Sequence, residues 1–132
     1  GLWHFHQEEF DAVLSVYFNY QFSKAFIPKT RFITIRALFE LFLTNKNYFE
    51  VLISNIKAFE NYISRNKKYV PTKLIPHLNS IKIIRKVTIR INRNESWDEI
   101  SNYIKDSISK QTVIGKKWLL EKSNQISLKN NW

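Results

Sequence analysis

Apolar residues recur along this chain at three- and four-residue steps, the period of a helix laid against a core. The pattern is clearest from about Lys46 to Arg65, where Phe49, Leu52, Ile53, Ile56, Phe59 and Ile63 fall on one stripe. Asn47 is placed to accept from the free amide groups at its start. Glu50, three residues on, has capping-box spacing and suits the positive end of the helix dipole. Upstream, Pro28 fits a first helical turn, and Phe32, Ile35, Leu38, Phe39 and Phe42 predict a helix from Pro28 to about Thr44. The turn at Thr44, Asn45 and Lys46 is so short that the two helices must run antiparallel as an αα-hairpin. An earlier helix is expected over Gln7 to about Phe22, with Phe10, Val13, Leu14, Tyr17 and Phe18 inward.

Beyond the basic turn ISRNKKYVPTK the pattern admits two readings. The run IKIIRKVTIRIN alternates apolar and polar residues and is rich in β-branched side chains, as a strand would be. Read as a helix, Leu74, Leu78, Ile81, Ile84, Val87 and Ile91 form a stripe, with Lys82, Arg85, Lys86, Arg90 and Arg93 mostly opposite. Helix is the preferred reading for 81–92, because no second strand-like run exists to pair with it. Pro76 either opens this helix or kinks one that begins near Pro71. Asn94 or Ser96 then caps a helix carrying Trp97, Ile100, Ile104 and Ile108, Ser96 and Glu99 having capping-box spacing. A last helix around KKWLLEK is expected from Thr112 or Gly115 to about Ser123, with 124–132 frayed like 1–6. The expectation is therefore one all-α domain over 1–132, with five or six helices paired as antiparallel hairpins in a tetratricopeptide-like superhelix or an irregular bundle.

Composition agrees with that class. Two Gly and three Pro are too few for the turns of an all-β sandwich. With 44% hydrophobic and 15% aromatic residues the chain is too apolar for a disordered tail, yet it has no run of about 20 apolar residues that would span a membrane. The reading is of a soluble protein, by default cytoplasmic. Cysteine is absent, which removes disulfides and thiolate chemistry; Met is absent too, which predicts a piece of a longer helical-repeat chain. A repeat cut from its array exposes an apolar flank, so self-association in isolation is expected. The net charge of +10 suggests an anionic partner, but Ile, Asn and Lys make up 45 of the 132 residues, a bias that raises Lys whatever the function. Lys outnumbers Arg 15 to 6, and Arg is the residue suited to bidentate phosphate contacts.

The order of segments resembles the C-terminal helical region of uncharacterised tetratricopeptide-like proteins of the Bacteroidetes type, over roughly Phe10 to Lys122. The resemblance is carried by RALFELFLTNKNYFEVLISNIKAFENYI, by the turn YISRNKKYVP and by WLLEK at Trp118 to Lys122. It implies a helical-repeat scaffold that binds peptides or partner proteins, and it carries over no binding residue. Ala37 matches the small residue of a tetratricopeptide first helix, whereas Phe49 and Ile56 stand where small residues usually allow close helix packing.

No catalytic set emerges, and neither cofactor nor metal is expected. His4 and His6 flank Phe5 near Glu8 and Glu9, but two imidazoles in a terminal segment read as surface histidines before they read as zinc ligands. His77 stands alone beside a proline, with no Asp or Ser partner in view. Asp98 and Glu99 point about 100° apart on a helix and suit its dipole better than a shared substrate. The strongest feature is charge segregation. Between Glu60 and Glu95 there is no acidic residue, and nine cations fall in that interval. Lys67, Lys68, Lys82, Arg85, Lys86 and Arg90 are the candidate interaction face. It would dock another protein or the remainder of the parent chain, or alternatively nucleic acid, with Tyr62 or Tyr69 stacking on bases.

Overall fold

Residues 27–65 and 71–129 are described by the structure, a computed structural model, and every regular element among them is helical. They are α1 (Ile27–Thr44), a 3-10 turn at Lys46–Tyr48, α2 (Phe49–Arg65), α3 (Pro71–Asn92), α4 (Trp97–Lys110) and α5 (Lys116–Leu128). The helix expected over 7–22 lies outside the described residues. The chain divides into two compact units, Gly1–Ser64 and Arg65–Trp132.

In the first unit, α1 and α2 form the antiparallel hairpin that the short turn requires. Phe42 near the end of α1 meets Phe49 at the start of α2, ring centroids 6.1 Å apart. At the other end the Arg31 guanidinium lies 5.6 Å from the centre of the Tyr62 ring. The α1 stripe expected from the sequence, Phe32, Ile35, Leu38, Phe39 and Phe42, is buried, and of the α2 stripe Leu52, Ile56, Phe59 and Ile63 are buried while Phe49 and Ile53, on its flank, are half-buried. Helix α1 also buries Thr34, Ala37 and Leu41, so more than half its circumference is covered; Thr34 satisfies its hydroxyl on the Thr30 carbonyl at 2.8 Å. The cap of α2 differs from expectation. Asn45, with extended backbone, accepts from the amide of Asn47 at 3.0 Å and opens the 3-10 turn. Asn47 is therefore a donor inside the turn and not the cap, because the chain tightens through a 3-10 segment before the α-helix begins.

In the second unit the ambiguous run is a helix. Pro76 lies inside α3, which starts at Pro71. The strand-like alternation has a simple origin. Of the expected stripe Leu74, Ile81, Ile84, Val87 and Ile91 are buried and Leu78 is half-buried; Ile83 falls at its edge and is itself covered, whereas Ile89 falls on the opposite, cationic face. Helix α3 ends in a Schellman motif, the Glu95 amide donating to the Arg90 carbonyl at 3.1 Å and the Asn94 amide to the Ile91 carbonyl at 3.0 Å. Asn94 takes the left-handed position, φ 58°, which asparagine tolerates well. Asn94 thus terminates α3 and does not cap α4; Ser96 caps α4, its Oγ accepting from the Glu99 amide at 3.4 Å.

Helices α4 and α5 run close together along more of their length than any other helix pair among the described residues. Small residues allow it. Ser101, Ser107 and Ser123 are buried, and the Ser101 hydroxyl donates across the pair to the Ser123 carbonyl at 2.8 Å, while Ser123 turns its own hydroxyl to the Leu120 carbonyl at 2.7 Å. The connection at 111–115 is tied back to α3. Ser80 Oγ lies 2.7 Å from the Ile114 carbonyl oxygen and accepts from the Ile114 amide at 2.8 Å, and Asn79 donates to the Thr112 carbonyl at 2.8 Å. Gly115, φ 69°, then reverses the chain into α5 at an angle a β-carbon would resist. Helix α5 runs to Leu128 instead of ending near Ser123, because Ile126, one turn beyond, is fully buried and holds the last turns to the core.

Candidate functional site

The basic residues of α3 follow from its pitch. Lys82, Arg85, Lys86 and Ile89 sit at helical spacing on the face opposite the buried stripe, and Lys82, Arg85 and Lys86 are exposed. They line a shallow groove of about 310 Å³, with Tyr103 of α4 as its far wall. Among the described residues, no carboxylate lines it. The Lys86 ammonium and the Arg90 guanidinium each lie 5.0 Å from the Tyr103 ring centre, the distance of a cation–π contact. Tyr103 is half-buried, its apolar body filling the α3–α4 junction. Glu95 lies near the end of the groove, its Oε1 4.0 Å from Arg90 Nε, where the Schellman turn has placed it.

Of the expected interaction face, Lys82, Arg85, Lys86 and Arg90 are brought together, and Lys67 and Lys68 lie outside the described residues. Of the two tyrosines expected to stack, Tyr69 also lies outside them, and Tyr62 belongs to the first unit with Arg31 over its ring. The aromatic that joins the basic face is Tyr103, which sequence reasoning missed. Its signal was present, since Tyr103 stands three residues after Ile100 and next to Ile104, on the flank of a predicted stripe. Only the pairing of α3 with α4 reveals its cationic neighbours.

The remaining candidates fall into structural roles. Asp98 and Glu99 occupy the exposed first turn of α4 below the Ser96 cap. His77 is half-buried within α3, and His4 and His6 lie outside the described residues. Among the described residues, no three His, Asp or Glu side chains gather as a metal set. Trp118 is buried, with the Lys122 ammonium 6.0 Å from its ring. Trp97 is half-buried, and Lys129 lies 5.4 Å from its ring centre. Partial burial holds the Lys129 ammonium below the usual lysine pKa, because desolvation disfavours its charged form. No described helix is long and apolar enough to cross a membrane.

Comparison of the chain with protein-family models, with curated proteins and with solved structures gives no match.

Proposed function

We propose that this chain is a non-enzymatic helical module that docks a partner protein through the groove between α3 and α4. One observation carries the reading. Three exposed cations and an apolar residue face a tyrosine across a groove that no acidic residue lines among the described residues. An acidic stretch of another protein, or of the remainder of a longer parent chain, supplies the complementary charge. The resemblance to tetratricopeptide-like scaffolds, read from the sequence, points to the same class of activity.

Nucleic acid is the second reading, favoured by the acid-free interval from Glu60 to Glu95. Two features weigh against it. From Lys82 to Ile89 the groove runs only about 10 Å at 1.5 Å per residue, the length of three extended peptide residues. The Tyr103 ring is also engaged by the protein's own cations, which leaves it poorly disposed to stack on a base. Fluorescence anisotropy with labelled polyglutamate and with labelled single- and double-stranded oligonucleotides, across a salt series, separates the two. The protein-docking reading expects polyglutamate to bind and the triple charge reversal of Lys82, Arg85 and Lys86 to Glu to abolish it. Tighter, steeply salt-dependent oligonucleotide binding that the same reversal abolishes would replace it with the nucleic-acid reading.

A further inference from the structure

The chemistry of the groove is more specific than its charge. Ile89 stands on the cationic face of α3, where the helical pattern would place another polar residue, and it shares the groove with Lys82, Lys86 and Tyr103. Tyr103 in turn holds Lys86 and Arg90 over its ring. A long cation restrained on an aromatic face has already lost much of its rotamer freedom, so less is lost when an anion arrives. The groove therefore offers one ordered cation, Lys86, beside the apolar side chain of Ile89.

We infer that the occupant is an extended acidic segment with a large apolar side chain between its carboxylates, the apolar side chain resting on Ile89 and the carboxylates meeting Lys82 and Lys86. Charge complementarity argues for the acidic flanks, and the length of the groove argues for a contact of three or four extended residues. Tyr103 is a positioning residue that holds Lys86 over its ring. This inference rests on the protein-docking reading above.

The test uses the full chain and two labelled peptides, each with two acidic residues on either side of a central residue, which is phenylalanine in one and glycine in the other. The phenylalanine peptide is expected to bind about tenfold more tightly. Tyr103→Leu should weaken it about fivefold through the loss of the cation–π contact that orders Lys86, and Tyr103→Phe should keep it within about twofold. Circular dichroism on each variant verifies that the helices persist, and Lys82→Glu with Lys86→Glu provides a pair of surface substitutions that leave the core untouched. Equal binding of the two peptides would overturn the inference while leaving acidic docking intact. Failure of both peptides would overturn the docking reading with it. Tighter binding of an oligonucleotide at the same salt, lost in the double reversal, would assign the groove to nucleic acid and overturn the inference as well.

Discussion

The α1–α2 and α4–α5 hairpins are both antiparallel, yet they are held in opposite ways. In the first, phenyl rings stand between the helices. Phe42 packs on Phe49, Phe59 and Ile56 are fully buried, and the backbones stay further apart than in the other pair. In the second, serines let the backbones close until a side-chain hydroxyl reaches a main-chain carbonyl of the facing helix. The first arrangement is stabilised by apolar area, and the second by close packing in which the Ser101 and Ser123 hydroxyls are hydrogen-bonded to carbonyls. A tetratricopeptide-like first unit would want small residues where Phe49 and Ile56 stand. Small residues at a close helix contact occur in this chain, but in the second unit.

Substitutions at four positions probe that contrast. Phe42→Ala should cost most, about 3–5 kcal/mol, through the cavity left in the ring-filled hairpin, and chemical denaturation measures it. Ser123→Leu should cost about 1–3 kcal/mol by overpacking a contact that has no room for a branched side chain, whereas Ser123→Ala should be far milder. If Leu were accepted there as easily as Ala, the close approach of α4 and α5 would not depend on a small residue.

Ser80→Ala should cost about 1–2 kcal/mol and act locally, since it leaves the Ile114 amide and carbonyl without their hydroxyl partner. Hydrogen exchange at Ile114 should accelerate more than exchange in α4. Lys129→Met should have the smallest effect, and its sign depends on pH. The folded chain holds the Lys129 proton more weakly than the unfolded chain, so below the folded pKa the charged form costs stability. That cost is relieved as pH rises through the folded value toward the ordinary lysine value. Relative to the Met variant, the parent chain should therefore gain stability in the alkaline range, as paired thermal melts would register.

The phenyl-filled hairpin was legible in the sequence, and the serine-lined pair only in part. Apolar stripes announce themselves by period, so Phe32 to Phe42 and Leu52 to Ile63 could be assigned to the core from spacing alone. Apolar period does not mark the buried Ser101, Ser107 and Ser123, and the carbonyl that receives the Ser101 hydroxyl comes only with the pairing of α4 and α5. The end of α5 was placed too early for the same reason: Ile126 is one apolar residue in a polar tail until the fold covers it. At the groove, helical pitch was enough to gather Lys82, Arg85, Lys86 and Arg90. Tyr103 belongs to another helix, and its place among those cations follows from tertiary pairing. The caps divided similarly. Ser96 was visible from the spacing to Glu99, while the roles of Asn45 and Asn94 depended on a 3-10 turn and a Schellman bond that residue spacing does not announce.

The most direct measurement for the central claim is a heteronuclear NMR titration of the full chain with the phenylalanine-centred acidic peptide. The account predicts saturable shifts confined to amides of residues 82–90 and those around Tyr103, lost on charge reversal of Lys82 and Lys86. Shifts centred instead on α1 and α2, or spread over all surface lysines without saturation, would contradict it.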